Sequence, residues 1–122
     1  MAKILIADDE KVVRDILVRF LTLSGYEVDT TDDGFETIDK IKTDAFDILI
    51  MDLKMPQLKG ADILLELRKN KKEIPCLILT GAVDAEESEG LKRIGFPAGD
   101  ILYKPIDLSS LLCKIKEKLS AG

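Results

Sequence analysis

Short apolar runs alternate along this chain with longer stretches in which apolar residues recur every three or four positions. The runs predict β-strands at Lys3–Ala7, Glu27–Thr31, 47–51, Cys76–Thr80 and 100–103. Four of the five are dense in Ile, Leu or Val, as strands covered on both faces must be. The run at Glu27–Thr31 alternates polar and apolar instead, which places it at a sheet edge.

The intervening stretches predict five helices. Val13, Ile16, Leu17, Phe20 and Leu21 share one face of the first, and Ser24-Gly25 ends it. Phe35, Ile38 and Ile41 mark the second. Ala61, Leu64 and Leu67 mark the third, which the polar stretch 69–73 and Pro75 terminate. The fourth opens at Asp84, where Asp84-Ala85-Glu86-Glu87 matches a capping box. It is poor in apolar residues and contains Gly90, so it is expected to be the least stable. Acids at 86, 87 and 89 favour its N-terminal half through the helix dipole. Leu108, Leu111, Leu112, Ile115 and Leu119 form the fifth. Five βα units with right-handed crossovers predict a single α/β domain over residues 1–122. Its doubly wound parallel sheet could take a Rossmann order or the flavodoxin-like order 2-1-3-4-5, and five strands favour the second. A ligand crevice in that topology lies beyond the carboxyl ends of strands 1 and 3.

Composition narrows the chemistry. The 122 residues include 23 acids and 18 bases, a formal net charge of −5, and no histidine or tryptophan. Histidine-dependent triads, zinc sites and proton relays are excluded. An acidic balance argues against nucleic-acid binding through a basic face. No apolar run approaches the ~20 residues of a membrane helix, so membrane insertion is not expected. Cys76 and Cys113 form no CxxC pair, and they read as reduced thiols of a cytoplasmic protein.

The strand ends carry the chemistry. Asp8 and Asp9 follow strand 1, Asp52 follows strand 3, Thr80 closes strand 4 and Lys104 follows strand 5. Singly, each has an ordinary explanation: a helix cap for Asp9, a solvated turn for Asp8, an Asx turn for Asp52, a surface position for Lys104. Together they are harder to dismiss. Two unit charges ~4 Å apart repel by about 4 kcal/mol at an effective dielectric of ~20, so three convergent carboxylates call for a cation. Mg²⁺ suits one to three carboxylates plus water. An ionised Asp52 needs no general base to attack phosphorus. Mg²⁺, Lys104 and the Thr80 hydroxyl would then neutralise the three phosphoryl oxygens. The product, an acyl phosphate, is labile and suits a switch.

With those residues in place, the sequence resembles the receiver domain of bacterial two-component response regulators over essentially its whole length. The resemblance rests on Asp8-Asp9, on Asp52-Leu53-Lys54-Met55-Pro56 followed by Gly60, on Leu79-Thr80-Gly81 and on Lys104-Pro105. It implies that Asp52 is the phosphoacceptor and that Asp8, Asp9, Asp52 and the Lys54 backbone carbonyl hold Mg²⁺. It further implies that Thr80 and Lys104 sense the phosphoryl group and that the Lys104-Pro105 bond is cis. Such a domain is no enzyme in the ordinary sense, though it assists its own Mg²⁺-dependent phosphorylation and dephosphorylation. Its donor would be a histidine kinase or a histidine phosphotransfer protein. Its output would reach a downstream protein or a covalently linked output domain through the face of helix 4, strand 5 and helix 5. The turn at Ile106-Asp107 and helix 1 near Val12 and Arg14 would dock the kinase.

Four departures from the family pattern stand out. Ile101 occupies the usual aromatic position, and Tyr103, on the same strand face, is expected to share the switch role with Ile101 and Pro105. The segment 95–99 is longer than usual, either as a tolerated loop or as a partner surface presenting Phe96. Lys54 stands at the mouth of the site, either as a solvated lysine or as a modulator of phosphate and water. Ile106 replaces a frequent phenylalanine. Other functions fit less well. The loop Asp8-Asp9-Glu10 would repel a flavin phosphate, and neither GxxxxGK[ST] nor GxGxxG occurs. The remaining alternative is a pseudo-receiver, an interaction module that is never phosphorylated.

Overall fold

The paired strands build a five-stranded, wholly parallel sheet in the order β2-β1-β3-β4-β5. The structure is a computed structural model that describes all residues except Pro56, Gln57, Lys71, Lys72 and Gly122, together with the side chain of Ala121. The strands are β1 (Lys3–Ala7), β2 (Glu27–Thr31), β3 (Ile48–Met51), β4 (Cys76–Thr80) and β5 (Ile101–Tyr103). The helices are α1 (Lys11–Leu23), α2 (Gly34–Thr43), α3 (Gly60–Lys69), α4 (Ala85–Arg93) and α5 (Leu108–Ala121). β3 and β4 are buried throughout, whereas β2 at the edge is only partly covered.

Strand alternation sends side chains to two separate cores. Leu5, Leu49, Met51 and Ile78 meet Ile38, Ile41, Ile63, Leu67, Leu91 and Ile94 beneath α2, α3 and α4. Ile4, Ile6, Ile48, Ile50, Leu77 and Leu79 meet Leu17, Leu21, Leu111 and Ile115 beneath α1 and α5. Each fully buried Leu or Ile contributes about 1.5–3 kcal/mol, so the central strands are the main source of stability. Among the described residues no helix is long and apolar enough to cross a membrane.

Several boundaries and faces differ from the sequence expectation. Residues 47 and 100 lie outside the strands. The Asp47 carboxylate accepts the Lys3 N–H at 2.7 Å, and Asp100 closes a 3-10 turn at Ala98–Asp100. The α3 face is rotated: Gly60, Ile63 and Leu67 are buried, whereas Ala61 and Leu64 are only half-buried. Ile16 and Phe35, assigned to buried faces, are exposed. Phe96 is half-buried and packs against the core beneath α4. The third-helix terminator falls partly on residues 71 and 72, outside the described set, and α3 ends at Lys69 with Asn70 as its cap. The Asp84 capping box forms in full, the Asp84 carboxylate accepting the Glu87 N–H at 2.8 Å and Glu87 reciprocating at 3.1 Å. Gly25 ends α1 with φ of +97°, a backbone conformation that favours glycine.

The two cysteines are opposites. Cys76 is buried at the start of β4, and burial pushes its thiol up to about 12, whereas Cys113 is exposed on α5. Thiolate character and access decide reactivity. Native protein is therefore expected to take up a single equivalent of iodoacetamide, at Cys113, and a second only after unfolding. Native labelling of Cys76, read by peptide mass, would contradict this burial.

Candidate functional site

Register brings the acids together. Ala7 pairs with Met51, so the residues after them, Asp8 and Asp52, leave the sheet side by side. The Asp8 N–H donates to the Thr31 carbonyl at 3.1 Å, and the Asp52 N–H to the Ala7 carbonyl at 2.9 Å. Thr80 pairs with Tyr103, and the Lys104 N–H donates to the Thr80 carbonyl at 2.8 Å. The Lys104-Pro105 peptide is cis, as the sequence resemblance implies.

Local hydrogen bonds fix the loops. The Asp8 Oδ1 accepts the Glu10 N–H at 2.9 Å, and the Arg14 guanidinium donates to the Asp8 carbonyl at 2.7 Å. Asp52 Oδ1 accepts the Lys54 N–H at 3.0 Å, the Asx turn expected of an aspartate in that place. Asp9 is exposed and does not cap α1, whose N-cap residue is Glu10.

The centre is one ammonium among carboxylates. Lys104 Nζ lies 2.6 Å from Glu10 Oε1, 2.9 Å from Asp52 Oδ2 and 3.0 Å from Asp8 Oδ2. Lys104 is thus no surface lysine, since its side chain is only 14% exposed. Its approach to Asp8 is close but not aligned for a hydrogen bond, and Asp8 Oδ2 is buried without any hydrogen-bond partner. Desolvation raises the Asp8 pKa above its ordinary value against the opposing pull of the Glu10 N–H and Lys104. Burial alone would lower the Lys104 pKa; its bonds to Glu10 and Asp52 and the nearby Asp8 carboxylate outweigh that and raise it.

Carboxylate oxygens of Asp8, Asp9, Glu10 and Asp52 all lie within 4.8 Å of one another. Four negative charges against a single ammonium leave a strong deficit of positive charge. A buried, orphaned oxygen facing that cluster is the position a hard divalent cation satisfies, and an all-oxygen donor set suits Mg²⁺. Glu10 belongs to none of the motifs that mark the other site residues. Its one signal in the sequence is to be the third consecutive acid after β1.

The other expected residues are placed as follows. Thr80 is fully buried at the end of β4, and its hydroxyl donates to the Ala82 carbonyl at 3.2 Å rather than joining the acidic cluster. The Lys54 side chain is exposed at the mouth. Ile101 packs against the core under α3 and α4, Tyr103 is exposed and Pro105 is exposed beside it. Pro56 of the family motif lies outside the described residues.

Known proteins agree with this architecture. Residues 4–116 match the family model of the response regulator receiver domain. Response regulator MprA of Mycobacterium avium is 37% identical over 119 residues, 96% of this chain and 50% of that protein. The chain spans about half the length of the curated relatives it matches. A CheY-like receiver domain protein from Methanospirillum hungatei superposes with a TM-score of 0.89 at 30% identity, covering 99% of this chain and 95% of that one. Chemotaxis protein CheY4 of Vibrio cholerae gives 0.85 at 31% identity, covering 97% and 98%. The chain belongs to the response regulator receiver domain family, with the CheY-like fold.

Proposed function

We propose that Asp52 accepts a phosphoryl group from a partner histidine kinase or histidine phosphotransfer protein, and that the acyl phosphate shifts this single domain between two conformations. The observation that supports this most is Lys104 clasped between two buried carboxylates, one of which, Asp8, has an oxygen that receives no hydrogen bond. Asp8, Asp9 and Asp52, with the Lys54 carbonyl, would hold Mg²⁺, which when bound supplies positive charge against the oxygens of the phosphoryl group.

The chain's own residues do the rest. An Asp52 carboxylate oxygen attacks phosphorus as the P–N bond to the donor's imidazole breaks, and the imidazole keeps the electron pair. Lys104 moves from the Asp52 carboxylate to a phosphoryl oxygen. The Thr80 hydroxyl, now on the Ala82 carbonyl, donates to another. Each exchange favours one conformation over the other, and the population shifts by that difference in affinity. The exposed Tyr103, with Ile101 and Pro105, lies on the face proposed to carry the output to a downstream protein or a linked output domain. The presence of all five expected residues favours this reading over a pseudo-receiver.

Borohydride reduces an acyl phosphate to an alcohol. After incubation with Mg²⁺ and acetyl phosphate, reduction is expected to convert Asp52 alone to homoserine, and chelation of the cation to prevent it. Peptide masses that place homoserine elsewhere, or nowhere, would count against the proposal.

A further inference from the structure

Both Asp52 oxygens are engaged, Oδ1 by the Lys54 N–H and Oδ2 by Lys104. On the function proposed above, a cation and a phosphoryl group claim Asp8 and Asp52, and the ammonium then needs another partner. We propose that Glu10 is the dock for Lys104, a positioning residue that retains the ammonium beside the crevice after it leaves the two buried aspartates.

Three observations carry this. Of the three carboxylates around Lys104 Nζ, Glu10 is the nearest, at 2.6 Å. Glu10 is anchored by its own N–H to Asp8 Oδ1, so its position is fixed relative to the site. Its carboxylate makes no capping bond to α1, which leaves it free for Lys104. The division of labour follows from burial. Asp8 and Asp52 side chains are 2% and 6% exposed, whereas Glu10 is 58% exposed at the rim. A divalent cation gains most from the buried pair, and it repels an ammonium in contact with the same oxygens. Lysine suits the exchange, having three rotatable donors on a flexible stem. Without Glu10, the displaced ammonium has solvent as its alternative, and the lysine that should meet the phosphoryl group is no longer held.

Acylation of Lys104 by an N-hydroxysuccinimide ester, read by peptide mass at one fixed pH, reports how firmly the amine is held. Wild type, Glu10→Gln and Glu10→Asp are compared with Mg²⁺ and with chelator, and thermal melting shows that all three fold. Wild-type Lys104 is expected to stay protected in both conditions. Glu10→Gln should label about threefold faster than wild type without cation, and faster still with Mg²⁺, the gain a half-exposed ion pair supports. Glu10→Asp, which keeps the charge, should restore protection. Equal rates for wild type and Glu10→Gln would overturn the proposal, as would rescue failing in Glu10→Asp. The metal-free comparison decides on Glu10 by itself. Failure of Mg²⁺ to raise the wild-type melting temperature would instead contradict the cation site.

Discussion

Asp8→Asn is expected to melt higher than wild type in the absence of divalent cations, by about 4–10 °C, corresponding to about 1–3 kcal/mol. The side chain is buried, one of its oxygens has no hydrogen-bond partner, and three other carboxylates lie around it. Replacing Oδ2 by an amide nitrogen removes a buried charge whose desolvation outweighs the help of the Lys104 ammonium 3.0 Å away. Oδ1 keeps its bond from the Glu10 N–H, and Lys104 keeps Glu10 and Asp52, so no charge is stranded. The same change removes a cation ligand, so Mg²⁺ should stabilise wild type and leave Asp8→Asn nearly unaffected.

The pH dependence has a definite sign. Burial raises the folded pKa of Asp8 above the unfolded value of 3.8. Between those two values the folded state binds more protons, so the contribution of Asp8 to stability grows as pH falls through that window and is lost as pH rises through it. The advantage of Asp8→Asn is therefore expected at neutral pH and should shrink as pH falls below the raised value. A lower melting temperature for the variant at neutral pH, by calorimetry without metal, would show that the buried carboxylate is not under strain.

Gly60→Ala should destabilise the fold by about 1–3 kcal/mol, the usual cost of overpacking a filled core. A Cβ at Gly60 would lie 2.6 Å from a methyl of Leu53, 3.2 Å from the Leu53 Cα and 3.2 Å from the end of Met51. The methyls can rotate aside, but the Leu53 backbone cannot, because the Gly60 N–H donates to the Leu53 carbonyl and Leu53 directly follows Asp52. The strain is transmitted to the loop that carries Asp52. Urea denaturation should show a lower midpoint with an unchanged slope. A midpoint equal to that of wild type would mean that this close approach relaxes freely.

These two positions show what the sequence revealed and what it left hidden. The sheet was legible because Ile4-Leu5-Ile6, Ile48-Leu49-Ile50 and Leu77-Ile78-Leu79 can only be strands buried on both faces. Chain topology left two strand orders, of which five strands favoured the one observed, and the site followed from the strand ends. The α3 face was not legible. Leu64 and Leu67 marked a plausible stripe, but the contact of Gly60 with Leu53 sets the rotation of the helix, and a glycine carries no hydropathic mark. Asp100 read as part of a strand because its partners, Lys114 and Lys118, are distant in sequence. Glu10 was hidden for a similar reason: its partner Lys104 lies at the far end of the chain, and only the sheet brings the two together.

The central claim is that Asp52 takes up a phosphoryl group, and intact-mass measurement tests it most directly. Wild type and Asp52→Ala are incubated side by side with Mg²⁺ and acetyl phosphate. A single phosphoryl adduct on wild type, absent from Asp52→Ala, is the expected result. An adduct on both proteins would move the acceptor to another residue. No adduct on wild type, under conditions that label an active receiver, would contradict the claim and leave an interaction module of the same fold.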